Sequence, residues 1–215
     1  MEKVAVLGSG EVGKTLANGF LGIGYAVMRG SRDPAKLAEW ASQAGANASA
    51  GTFAEAARWG ELVVLAVKGA AAESVLDLCG ADALAGKTVI DTTNPIAEAP
   101  PAHGVITLFT TPDRSLMERL QARVPAACFV KAFSCVGHAL MVRPRLKDGP
   151  PTMFICGNDA GARSQVQAVL ARFGWEVEDL GTAEAARAIE PLCVLWCVPG
   201  FLRNDWQHAF RMLRA

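Results

Sequence analysis

The sequence predicts an α/β fold in which a doubly wound, mainly parallel sheet carries helices on both faces and ends in a small C-terminal helical annex. Three observations lead there. An apolar run, Val4-Ala5-Val6-Leu7, passes through a glycine-rich turn into helically spaced Val12, Leu16 and Phe20. Two later runs, Leu62-Val63-Val64-Leu65-Ala66-Val67 and Thr88-Val89-Ile90-Asp91, are unbroken stretches of the kind found in parallel strands covered on both faces. Between these runs stand segments with helical period and capping residues, so strand and helix alternate along the chain.

The turn reads Gly8-Ser9-Gly10-Glu11-Val12-Gly13. In a strand, turn and helix of this type the first glycine permits a sharp turn, the second lets the backbone approach a pyrophosphate, and the third lets helix and strand pack closely. Ala17 keeps that packing tight, and Gly24-Tyr25-Ala26-Val27-Met28 turns into a second strand, which completes a βαβ unit of the Rossmann type. The helix N-terminus then directs free N–H groups and its positive dipole end at phosphate. The same residues also spell a P-loop, Gly8-x-x-x-x-Gly13-Lys14-Thr15, with Asp91 at a strand end that would hold magnesium. That pattern gives no reason for Gly10, for Ala17, or for Arg29-Gly30-Ser31-Arg32 after the second strand. An NAD-binding unit carries an acid at this last place, whereas a hydroxyl beside guanidinium groups suits a 2′-phosphate. The dinucleotide assignment therefore prevails, and Lys14 merely opens a helix.

Further along, Asp33 and Pro34 cap a helix that carries Lys36 one turn in, and Thr52-x-x-Glu55 forms a capping box for a helix ending at Gly60. Lys68 lies at the carboxyl end of the run at residues 62–67, where such sheets bind ligands. A helix is expected over residues 70–78, a loop at Thr92-Thr93-Asn94-Pro95, and a long proline-rich loop over residues 97–112. Ser115-x-x-Glu118 caps the next helix, residues 128–133 form a strand, and residues 152–156, 160–173 and 175–180 make a further strand, helix and strand, with Asp159 as the cap. From residue 182 the chain reads as helical to its end, with breaks around Pro191 and Pro199-Gly200. The domain division is residues 1–181 for the dinucleotide-binding unit and residues 182–215 for the annex.

With 51% hydrophobic residues in 215, the chain supports a sizeable core. Its 21 basic and 21 acidic residues balance, which argues against nucleic acid as a partner. A strand beginning at residue 3 leaves no room for a signal peptide, and the apolar stretch at residues 191–202 is too short for a bilayer, so no membrane is expected. Six cysteines without a CxxC suit reduced thiols in the cytoplasm, and neither they nor His103, His138 and His208 have metal-ligand spacing. No Ser/His/Asp order and no nucleophile elbow supports hydrolase chemistry. Lys131, inside an apolar strand, is either a paired structural ammonium or a catalytic group. Trp196, Phe201 and Trp206 either stack on an acceptor ring or pack internally.

The glycine turn, Ser31-Arg32-Asp33-Pro34-x-Lys36, Asp91-x-x-Asn94-Pro95, Val130-Lys131-Ala132-Phe133, Ile155-Cys156-Gly157-Asn158-Asp159 and Ile189-Glu190-Pro191-Leu192 together resemble the deazaflavin (coenzyme F420)-dependent NADP oxidoreductase family. The middle and later motifs are similar to the cytosolic reductase domain of the six-transmembrane epithelial metalloreductases. The resemblance covers residues 3 to about 202. It implies NADP(H) as cofactor, with Ser31, Arg32 and Lys36 at the 2′-phosphate, Ser9, Gly10, Glu11 and Val12 along the pyrophosphate, and Ala66, Val67 and Lys68 bordering the path to the nicotinamide. It also implies a flavin or deazaflavin acceptor in a cleft made by Asn94-Pro95, Ser134 and the last helical segment, where Trp196 lies.

The expected function is an NADPH-dependent oxidoreductase delivering hydride to a flavin, a deazaflavin or a similar small-molecule redox acceptor. The alternatives are an imine or ketone reductase using Lys131 or Ser134, and a non-enzymatic NADP(H) sensor. The apolar residues crowded between Leu192 and Leu202 predict a homodimer with the annex at its interface.

Overall fold

A computed structural model describes residues 1–215. Its central strand, β1 (Lys3–Leu7), shows how the two faces arise. Side chains alternate along a strand, so Val4 and Val6 enter one core layer with Leu16 and Phe20, while Ala5 and Leu7 enter the other with Phe53, Ala56 and Leu76. Burying a large aliphatic side chain stabilises the fold by about 1.5–3 kcal/mol, which explains why the four buried positions of the strand are all apolar and its one polar residue, Lys3, is at the exposed end.

After β1 come α1 (Glu11–Gly22), β2 (Ala26–Ser31), α2 (Ala38–Ala44), β3 (Ala48–Thr52), α3 (Phe53–Trp59) and β4 (Leu62–Leu65). They are followed by α4 (Gly69–Cys79), α5 (Ala81–Leu84), β5 (Thr88–Asp91), α6 (Leu116–Arg123) and β6 (Cys128–Lys131). The strands lie in the order β3-β2-β1-β4-β5-β6 and all pair in parallel. This is the doubly wound dinucleotide-binding order, and its direction reverses between β1 and β4, which opens a crevice at their carboxyl ends. Both predicted capping boxes, Thr52 with Glu55 and Ser115 with Glu118, are formed. Asp33 caps as expected, although the turn it caps, Pro34–Leu37, is a 3-10 turn ahead of α2.

A second unit, β7 (Thr152–Ile155), α7 (Ala160–Arg172) and β8 (Glu176–Asp179), forms a two-stranded parallel sheet. A bond from Lys131 N to the Cys156 carbonyl, 2.9 Å long, joins it to the end of β6. Strand β3 has no counterpart in the sequence pattern. Ala48-Ser49-Ala50-Gly51-Thr52 holds one β-branched residue, and pairing with β2 rather than propensity makes it a strand.

The C-terminal expectation needs three corrections. The chain does turn at Glu190-Pro191, between α8 (Ala186–Ile189) and α9 (Leu192–Arg203), but Pro199 lies inside α9 without breaking it. Proline removes a single donor, and the helix continues for one more turn until Asn204, in the left-handed region at φ 55°, ends it. Residues 204–215 are not helical. Gly200 has no side chain, so the Trp206 ring lies directly on the helix, where a Cβ would approach it to 2.3 Å. The tail then runs beside β7, with Thr152 N donating to the Phe210 carbonyl at 2.9 Å and Met212 N donating to Thr152 Oγ1 at 3.0 Å. Finally, Ala183–Arg203 forms a 21-residue helical stretch long and apolar enough to cross a membrane, longer than the apolar run alone suggested. A third of its most apolar window, 33%, is buried in the fold, where Ala183, Ala186 and Ile189 join the layer that holds Leu7.

Candidate dinucleotide and acceptor site

The glycine turn fits a dinucleotide through three different geometries. A Cβ on Gly8, which leaves β1 at φ 149°, would come 2.1 Å from the Ala66 carbonyl oxygen, so glycine is required there for the turn. One on Gly13 would come 2.7 Å from the Gly8 carbonyl oxygen, so close packing excludes it. At Gly10 a Cβ would meet no protein atom within 4 Å, so this glycine keeps space open for something else.

That space belongs to a cavity of about 380 Å³, whose wall includes Gly8, Ser9, Gly10, Ser31, Arg32, Lys36, Ala66, Val67 and Lys68. Nine of the residues singled out by the sequence therefore meet at one place. Glu11, Val12 and Gly13 stand behind the wall in the first turn of α1, where they contribute backbone N–H groups. Arg32 and Lys36 are exposed and form no ion pair, while Ser31, the last residue of β2, is buried. The sequence pattern did not disclose the opposite wall, Ala71, Ser74 and Leu78 on one face of α4. Their helical spacing was visible, but the direction of that face was not.

Arg29 lies behind the turn. Its guanidinium is 2% exposed, donates to the carbonyls of Gly8 at 3.0 Å and Gly10 at 3.1 Å, and stacks 5.0 Å from the centre of the Trp40 ring. Trp40 is itself fixed by a 2.8 Å bond from Nε1 to Asn18 Oδ1. Burial lowers the Arg29 pKa, and Glu11 works in the opposite direction.

The residues expected to meet an acceptor, Asn94, Pro95 and Ser134, follow the ends of β5 and β6. Asp91 Oδ1 accepts bonds from Thr93 N at 2.9 Å and Thr93 Oγ1 at 2.7 Å, which sets the loop carrying Asn94 and buried Pro95. The Asn94 backbone packs on the start of α4, where a Cβ on Gly69 would meet its carbonyl oxygen at 2.1 Å. Ser134 follows Phe133, whose φ of 66° is a strained, left-handed value for a buried aromatic residue. Two shielded oxygens here, Asn94 Oδ1 and Ser134 Oγ, have no hydrogen-bond partner. Each such orphan costs about 1–3 kcal/mol, a cost that a ligand offering donors removes.

Trp196 does not join them. Its ring stacks on His208 with centroids 5.2 Å apart, its Nε1 donates to the His208 carbonyl at 2.8 Å, and its edge packs on Gly137. Trp206 packs against both Trp196 and Phe201, so Trp196 and Trp206 serve internal packing, while Phe201 keeps 46% of its surface exposed. Lys131 is equally committed. Its ammonium is fully buried, donates to the Thr93 carbonyl at 2.8 Å, and stands 2.7 Å from Asp91 Oδ2 and 3.0 Å from Glu190 Oε1. Burial opposes its charge, but the two carboxylates outweigh burial and hold its pKa above the ordinary lysine value. The sequence pointed to Lys131 and left both partners unseen.

Burial pushes the thiols of Cys79, Cys156 and Cys193 up to about 12, so they are packing groups rather than nucleophiles. A wider depression of about 540 Å³ beside α6 presents Glu118, Asp159 and Glu184, a set that repels phosphate. No cluster of His, Cys, Asp and Glu is arranged to hold a metal ion.

Known proteins share the family and the fold. The family model described as coenzyme F420-dependent NADP oxidoreductase matches residues 3–95. The crystal structure of a candidate F420-dependent NADP reductase from Arthrobacter sp. FB24 is 32% identical, covers 100% of both chains and superposes with a TM-score of 0.92. Metalloreductase STEAP3 of Rattus norvegicus is 33% identical over 93% of this chain, which spans 39% of that relative's length. An imine reductase of Streptomyces aurantiacus, 20% identical over 94% of this chain and 63% of its own with a TM-score of 0.68, shares the fold.

Proposed function

This chain belongs to the coenzyme F420-dependent NADP oxidoreductase family, and its sheet is the nucleotide-binding fold of an NADP-dependent oxidoreductase; on that premise we propose that it passes hydride between NADP(H) and a flavin or deazaflavin ring. When bound, the nicotinamide supplies the hydride, and the protein's task is to align two flat rings and exclude water. Ser31, Arg32 and Lys36 hold the 2′-phosphate, the turn from Gly8 to Gly13 holds the pyrophosphate, and Ala66, Val67 and Lys68 border the path towards the loop at Asn94 and Pro95.

The observation that carries this proposal is the pair of orphaned oxygens, Asn94 Oδ1 and Ser134 Oγ, at neighbouring strand ends. The pyrimidine edge of a flavin or deazaflavin offers the N–H donor that such acceptors lack. An imine or ketone reductase needs a proton donor at the nicotinamide; Lys131 is held by three acceptors away from that role, which leaves that alternative to the Ser134 hydroxyl. The metalloreductase relative, a redox protein by name, supports an oxidoreductase reading.

The homodimer is part of the same proposal. Leu195, Phe201 and Leu202 of α9 are 57%, 46% and 56% exposed, an apolar face that a second copy would cover. Six unpaired thiols support a reducing, cytoplasmic setting.

The test follows NADPH absorbance with FMN, FAD, coenzyme F420 and a panel of imines and ketones. Reduction of at least one flavin-type acceptor is expected. Turnover confined to imines or ketones overturns the assignment, and tight NADPH binding with no acceptor reduced favours a sensor.

A further inference from the structure

The buried guanidinium beneath the glycine turn has no carboxylate partner. Arg29 meets only the Gly8 and Gly10 carbonyls and the face of Trp40, and the acid that most offsets it, Glu11, is exposed on the first turn of α1 and forms no ion pair with it. Its Nε is also buried without a partner. A cation this deep normally carries a counter-charge, because two carbonyl dipoles offset only part of the cost of removing it from water.

The direction of its two bonds matters. In a trans peptide the carbonyl and the following N–H point opposite ways. With the Gly8 and Gly10 carbonyls drawn onto Arg29, the N–H groups of Ser9 and Glu11 turn away from it, on the side where Gly8, Ser9 and Gly10 line the cavity.

We propose that Arg29 is a positioning residue for the dinucleotide pyrophosphate: it fixes the turn with these N–H groups outward, and its buried charge gains its counter-charge when the phosphates bind. The inference rests on the NADP(H) assignment. It differs from the role of Ser31, Arg32 and Lys36, because the pyrophosphate is common to NADPH and NADH whereas the 2′-phosphate is not.

Arg29→Met tests it, since methionine keeps an unbranched apolar stem against Trp40 and removes the charge. Titration should show NADPH and NADH both weakened by the same factor, about tenfold or more, as expected when a charge-assisted contact is lost. The melting temperature of the cofactor-free protein should be unchanged or raised. Unchanged cofactor affinity together with a lower melting temperature would show a packing role alone, and a loss confined to NADPH would place Arg29 at the 2′-phosphate; either result overturns the proposal. If Arg29→Met does not fold, Arg29→Lys and inorganic pyrophosphate decide. Pyrophosphate should raise the melting temperature of the wild type and of the lysine variant at low salt, and its failure to protect the wild type refutes the proposal. A wild type that binds neither NADPH nor NADH would instead remove the cofactor assignment itself.

Discussion

The ammonium of Lys131 stands 2.7 Å from the Asp91 carboxylate, and neither side chain has any exposed surface. The two residues are register partners at the ends of β6 and β5. Glu190, from the segment joining α8 to α9, adds a second carboxylate and also accepts the backbone N–H groups of Leu116 and Met117 at 2.9 Å. The extra negative charge is thus placed at the N-terminus of α6, where the dipole favours it. One buried cluster therefore ties together the sheet, the helix after the long loop, and the C-terminal segment. Lys131→Met leaves two carboxylates without their cation and should cost about 3–5 kcal/mol in denaturant unfolding. A loss below about 1 kcal/mol would mean that the charges are not buried together as described.

Cofactor preference should depend on Arg32. Arg32→Ala removes a charge-assisted contact to the 2′-phosphate of about 1.5–3 kcal/mol, so NADPH should bind roughly 10- to 100-fold more weakly. NADH should be little affected. Equal losses for both cofactors, measured by fluorescence titration, would contradict the 2′-phosphate assignment.

Different glycines should fail in different ways. Gly10→Ala meets no protein atom, so the cofactor-free protein should melt normally while NADPH binding is lost. Gly13→Ala must displace the Gly8 carbonyl and should lower the melting temperature before any ligand is added. Lys14 is exposed, and Lys14→Ala should leave both properties intact. Magnesium-dependent ATP binding that disappears in Lys14→Ala would instead reinstate the P-loop.

The acid limb of stability should report on Glu118. Its bond to Arg187, with help from Ser115, holds its carboxyl down to about 2 from an ordinary value of 4.5. A depressed pKa contributes stability above the unfolded value, and that contribution fades as pH falls from about 4.5 towards 2. Glu118→Gln should flatten the melting-temperature profile in this window. An unchanged slope would show that other carboxylates govern acid unfolding.

The assembly is directly measurable. Light scattering at micromolar concentration should give a dimer, and Leu195→Glu, on the exposed face of α9, should give a folded monomer. A monomeric wild type removes the dimer from the proposal.

Much of the sheet was legible because its signals are local. Val4 to Leu7 and Leu62 to Leu65 are apolar at every position because both faces are covered, and the glycine turn allows few side chains at all. The illegible parts depend on distant neighbours. Strand β3 exists because β2 pairs with it, and the Lys131 partners lie 40 residues before it and 59 after it (131 − 91 and 190 − 131). Trp196 shows the same limit: its spacing fits an acceptor cleft as well as an interior, and only the returning tail decides between them.

The position of Glu190 also bears on the order in which the chain acquires structure. During synthesis β5, α6 and β6 leave the ribosome before it, so the Asp91–Lys131 pair is free to form while the first N–H groups of α6 still lack their acceptor. The first five parallel strands are contiguous in the sheet and pair with one another without any later strand, so they are free to assemble early. The region at the ends of β5 and β6, by contrast, gains its last buried partner only once residue 190 has emerged and its carboxylate has docked. A chain arrested before that point keeps the glycine turn but presents α6 with the Leu116 and Met117 N–H groups unpaired and an incompletely neutralised lysine, which are the features chaperones and proteases meet in a half-made domain.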